Sequence, residues 1–149
     1  MTASSSESVR SLGDQLSRHS VALISLIVAL TALAYNTWRN EKTEENRNIR
    51  TAGIELLLKL GELEQVVFLS HYDADQVRGS PRIGWAYALT IRDLGRLVPD
   101  PVTGSSRELL DVWQANWTGL GTDEAAVTRI SSGIDRARDD VLEVLAALD

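Results

Sequence analysis

The sequence predicts an all-α protein, with one transmembrane helix near the N-terminus continuing into a soluble bundle of about four helices. Three observations predict it. Residues 20–38 are apolar and carry no charge. Later segments repeat apolar residues at spacings of three and four, the period of one helix face. No segment shows the apolar–polar alternation of a half-buried strand.

The first 19 residues are expected to be a tail. Residues 1–8 are rich in Ser and predict disorder. Val9, Leu12 and Leu16 then fall on one helical stripe, which suits a short amphipathic helix on lipid headgroups, although Gly13 weakens it.

Residues 20–38 are the predicted membrane helix. At about 1.5 Å per residue the segment is roughly 28 Å long, close to the hydrocarbon thickness of a bilayer. Val21, Leu23, Ile24, Leu26, Ile27, Val28, Leu30 and Leu33 each favour insertion by about 0.3–0.6 kcal/mol. Tyr35, Trp38 and Arg39 close one end as interface anchors, since amphipathic rings and long basic chains prefer the headgroup level. Arg18 and His19 close the other end. Ala22, Ser25, Ala29 and Ala32 form a small-residue stripe, expected to pack against another membrane helix.

Three other readings fit the segment less well. A buried core helix this apolar is unusual in a small domain. A cleaved signal peptide is possible at Ala32-Leu33-Ala34, but the preceding residues carry Glu7 and Asp14 beside Arg10 and Arg18, so they are hardly basic. A helix lying in the interface needs a charged face that this segment lacks.

Beyond the span, residues 39–149 are the expected bundle domain with a helical stalk. No Gly or Pro interrupts the chain before Gly53, so the membrane helix is expected to run on through a polar stalk at residues 41–48, with a Glu44–Arg47 pair. Ile49, Gly53, Leu56, Leu60, Leu63 and Val67 then form a core-facing stripe, widened by Leu57 and Leu58. This helix is expected to end between Leu69 and Asp73.

Residues 71–82 read as a loop. A second helix is expected over 83–97, with Tyr87, Ile91, Leu94 and Val98 inward, until Pro99-Asp100-Pro101 breaks it. Ser105 and Glu108 match a capping box before Leu109, Val112, Trp113 and Trp117, and Gly119 and Gly121 end that third helix. Thr122 or Asp123 is expected to cap the fourth, whose Val127, Ile130, Ile134, Ala137, Val141, Val144 and Leu148 repeat like heptads. Such a seam serves a coiled coil between chains or, more often in a small domain, packing within one.

Composition bounds the function. Net charge is −6. Residues 51–149 hold nine Lys/Arg against sixteen Asp/Glu, which leaves no broad footprint for nucleic acid. The absence of Cys excludes disulfides, zinc–thiolate sites and thiol catalysis. A nucleophile elbow, a phosphate-binding Gly loop, a dinucleotide fingerprint and a zinc-protease helix are all missing, so no enzyme activity and no cofactor are expected.

His71, Asp73 and Asp75 are too few for a well-supported metal site and read as a solvated loop. His19 reads as a polar flank at the membrane boundary rather than a pH switch. Trp113 and Trp117 share a helix face; they suit the core, or an exposed contact for a partner. Asp135, Arg136, Arg138, Asp139, Asp140 and Glu143 read as a charged outer face with an Arg136–Asp140 pair.

The expected function is therefore non-enzymatic: an accessory, structural or adaptor subunit in a membrane, packed on lipid, on partner proteins or on its own copies. The alternative is a membrane-anchored sensor with a ligand-binding bundle. A bacterial inner membrane is expected. Arg39, Lys42, Arg47 and Arg50 outnumber Arg10, Arg18 and the amino terminus, which favours the C-terminal domain on the cytoplasmic side.

Overall fold

In the computed structural model the backbone is described from Ser4 to Leu148 and side chains from His19 to Leu148. Four α-helices and one short 3-10 turn account for the described secondary structure: α1 Ser4–His71, α2 Pro81–Gly95, α3 Val102–Asn116, a 3-10 turn Trp117–Gly119, and α4 Glu124–Ala146. No strand occurs among the described residues. The chain divides into two compact units, Met1–Glu44 and Glu45–Asp149.

In the first unit α1 begins at Ser4, so residues 4–8, expected to be disordered, are helical. The stripe expected at Val9, Leu12 and Leu16 lies outside the residues whose side chains are described.

The second unit is a helical bundle built by the last part of α1 with α2, α3 and α4. Its core is one cluster: Leu56, Leu60 and Leu63 of α1, Ala88 and Ile91 of α2, Val102, Leu109 and Trp113 of α3, and Ile130, Ile134, Ala137 and Val141 of α4. The three-and-four spacing read from the sequence puts these side chains inward. α1 meets α4 closely at Gly53, where a Cβ would stand 2.8 Å from Leu145 Cδ2. Arg138 of α4 donates to Glu64 of α1 at 2.5 Å, and Arg50 donates to the Leu148 carbonyl at 3.3 Å.

Two helix starts differ from the expectation, and the cap of α4 agrees with it. α2 starts at Pro81, two residues early, because Pro lacks the N–H that a first helical turn leaves unpaired and its φ already suits the helix. α3 starts at Val102, so Ser105 is not a cap. Ser105 is buried inside the helix and its hydroxyl faces the Pro101 and Val102 carbonyls at 3.4 Å. The earlier start follows from Val102, which is fully buried and anchors the first turn in the core. At α4 the Asp123 carboxylate caps the helix, accepting from the Ala125 N–H at 2.9 Å.

The expected Arg136–Asp140 pair is replaced by a pair between Arg136 and Glu108 of α3, so this charge ties two helices together. The heptad-like seam of α4 faces inward: Val127, Ile130, Ile134, Ala137 and Val141 are all buried in the unit's own core. Leu142, outside that seam, is 48 % exposed.

Candidate functional site

The first candidate is the apolar part of α1. Val21, Leu23, Ile24, Leu26, Ile27, Val28, Leu30 and Leu33 each lie between 55 and 64 % exposed. Exposure runs around the whole helix: every residue from His19 to Glu45 is exposed. The stretch is long and apolar enough to cross a membrane, and none of its most apolar window is buried.

Its two threonines bond back to the helix backbone. Thr31 donates to the Ile27 carbonyl at 2.8 Å and Thr37 to the Leu33 carbonyl at 3.0 Å. Hydroxyls bonded in this way make no demand on the surroundings, which suits a helix in hydrocarbon. Ala22, Ser25, Ala29 and Ala32 are exposed. Tyr35 and Trp38 form a tilted ring pair with centroids 6.1 Å apart, and Arg39 follows directly.

The two Trp residues offered as partner contacts separate. Trp113 is fully buried, so it does not offer a surface to a partner. The physical reason is its place on α3: its ring covers the α2 backbone at Gly84, where a Cβ would stand 2.2 Å from Cη2 and Cζ2. Its Nε1 has no hydrogen-bond partner among the described residues. Trp117 is half-buried and packs edge-to-face on Trp85 with centroids 6.1 Å apart. Trp85–Trp117 is thus a half-buried aromatic pair between α2 and the 3-10 turn.

The loop residues His71, Asp73 and Asp75 do not gather. Among the described residues no group of three His, Cys, Asp or Glu converges as metal ligands do. Asp75 instead organises its own turn. Its carboxylate accepts from the Val77 N–H at 3.0 Å, the Arg78 N–H at 2.9 Å and Arg78 Nε at 2.7 Å. These bonds, the Arg78 backbone bond first, hold its pKa below the usual carboxylate value. His71 stacks edge-on against Tyr72 at 4.7 Å.

Two features escaped the sequence reading. Arg92, Arg96 and Arg107 line one open cleft with Thr103, although Pro99-Asp100-Pro101 separates them along the chain. The second is an exposed apolar line on α1, formed by Ile54, Leu58, Phe68 and Tyr72. Together with Thr51, Gly61 and Gln65 it keeps three-and-four spacing, but the stronger stripe of the opposite face masked it.

No protein-family model matches the chain. No curated protein and no solved structure matches it either.

Proposed function

We propose that this chain is a non-enzymatic, single-pass membrane protein that acts as an accessory or adaptor subunit, packing on a larger membrane assembly or on its own copies. The observation that carries the reading is the uncharged span 20–38, whose apolar side chains stand exposed on every side of α1. Left in water, these side chains would lose the hydrophobic free energy that burial gives, roughly 25 cal/mol per Å² of apolar surface. Lipid supplies that burial without a protein partner. Tyr35, Trp38 and Arg39 then sit at one headgroup layer.

The basic residues Arg39, Lys42, Arg47 and Arg50 support an inner membrane of a bacterium with residues 45–149 on the cytoplasmic side. The partners are lipid and protein, and the acid excess of residues 51–149 argues against nucleic acid.

The test is fractionation of the full chain. Alkaline carbonate washing leaves an integral protein in the membrane pellet, and an uncut chain released to the supernatant would overturn the reading. Mass measurement in mild detergent then addresses the subunit role: a bare monomer with nothing bound counts against it.

A further inference from the structure

Within the second unit α1 is apolar on two opposite faces. The core stripe occupies one. The other carries Ile54, Leu58, Phe68 and Tyr72, at 51, 58, 52 and 65 % exposure. Thr51, Gly61 and Gln65 complete this line, at spacings of 3, 4, 3, 4, 3 and 4, and no charged residue falls on it. Tyr72 stays in helical register, since its N–H bonds the Phe68 carbonyl at 2.9 Å. Phe68 and Tyr72 form one aromatic patch, with ring centroids 5.1 Å apart. An exposed apolar line on a helix that already buries its other face marks a contact surface.

We propose that a second copy of this chain covers the face, with the two α1 helices packed in parallel as a two-stranded coiled coil. The proposal rests on the membrane-anchored reading, which inserts both copies with the same topology. The spacing supplies the seam, with Thr51, Leu58, Gln65 and Tyr72 at one core position of the heptad and Ile54, Gly61 and Phe68 at the other. Gly61 lies mid-seam, and a Cβ built there meets no atom within 4 Å, so the approach is open.

One charge pair is complementary across a seam between two copies. In a parallel pair the residue before one core position faces, across the seam, the residue five places on in the partner chain. That relation sets Arg50 against Glu55 of the second copy. Both side chains are exposed. Arg50 has a 3.3 Å bond to the Leu148 carbonyl, and Glu55 lies 3.8 Å from Lys59, so neither is held tightly at home. The same sequence thus provides both halves of the pair.

The experiment uses the full chain in its membrane. The chain has no Cys, so a single introduced thiol reports on one position. Leu58→Cys and Phe68→Cys, each oxidised mildly in membranes, both give a disulfide-linked dimer, whereas Thr128→Cys on the exposed side of α4 does not. An antiparallel pair links one seam position at most, and that result overturns the proposal. So does a cross-link of Leu58→Cys to a protein of another mass, or no link at either seam position. Arg50→Glu lowers the linked fraction by up to about fivefold, and Arg50→Glu with Glu55→Arg restores it; no change in either overturns the assigned register. Each sample is first checked in the membrane pellet. A chain found outside the pellet defeats the anchored reading, while a pelleted chain that does not link defeats only the dimer.

Discussion

The indole of Trp113 rests on the backbone of Gly84, where a Cβ would lie 2.2 Å from two of its ring carbons. The α2–α3 contact is thereby set by the absence of one methyl group. Gly84→Ala is expected to force the two helices apart and to lower stability by about 1–3 kcal/mol, the usual cost of overpacking. Urea unfolding measures it. Combining Gly84→Ala with Trp113→Phe is expected to cost less than the sum of the two single changes, because the two residues share one contact. Strict additivity would show that the contact does not limit the packing.

The inward seam of α4 makes a second contrast. Ile134 is fully buried and Leu142 is 48 % exposed. Ile134→Ala is expected to cost about 2–5 kcal/mol. Leu142→Ala stays within roughly 0.5 kcal/mol. Similar losses at both positions would mean that α4 is covered from outside as well.

The cap of α4 is open to a direct test. Asp123→Ala removes the acceptor for the Ala125 N–H and is expected to cost about 1 kcal/mol in chemical denaturation. Asp123→Asn keeps an acceptor and is expected to recover most of that loss.

The turn at Asp75 gives a pH dependence with a definite sign. The Arg78 N–H bond above all, with the Arg78 side chain and the Val77 N–H, holds its folded pKa below the usual carboxylate value. The carboxylate therefore steadies the turn at pH above that ordinary value, and the contribution disappears as pH falls through the lower, folded value. Asp75→Asn is expected to cleave faster than wild type in limited proteolysis of residues 72–80 at neutral pH. In strong acid the two proteins should be cut at the same rate. An equal rate at neutral pH would show that the charge on Asp75 does not hold the turn.

For the span, Val28→Arg places a charge near its centre at a cost of about 2.5–3.5 kcal/mol for insertion. The variant is expected to shift toward the carbonate supernatant, while Val28→Leu stays in the pellet. Unchanged retention of the Arg variant would argue that something other than hydrocarbon holds the protein.

Much of the fold was legible in the sequence, for a physical reason. Leu56, Leu60 and Leu63 on α1, and Ile130, Ile134 and Val141 on α4, follow the helical period and are all buried. The sequence narrowed the α4 cap to Thr122 or Asp123, and the structure uses Asp123. The sequence could not separate Leu57 from its neighbour: Leu57 is half-buried against the core, while Leu58 is 58 % exposed. Both are leucines on a widened stripe, and only the position of the other helices decides between them. Ser105 and Glu108 matched a capping pattern, yet tertiary burial of Val102 moved the helix start upstream. The Arg92, Arg96 and Arg107 cleft required knowing how α2 and α3 fold back on each other, which local spacing does not carry.

The Thr103 hydroxyl lies 3.1 Å from the Gly95 carbonyl and 2.8 Å from the Val98 carbonyl. One side chain in the first turn of α3 thus closes the last turn of α2, and Gly95 sits against Ser106, where a Cβ would lie 2.5 Å from the Ser106 Cβ. The corner is a clasp rather than a hinge. Epitope tags or fused reporters spliced between residues 96 and 102 would spring it, whereas the longer 72–80 connection is the better place to splice.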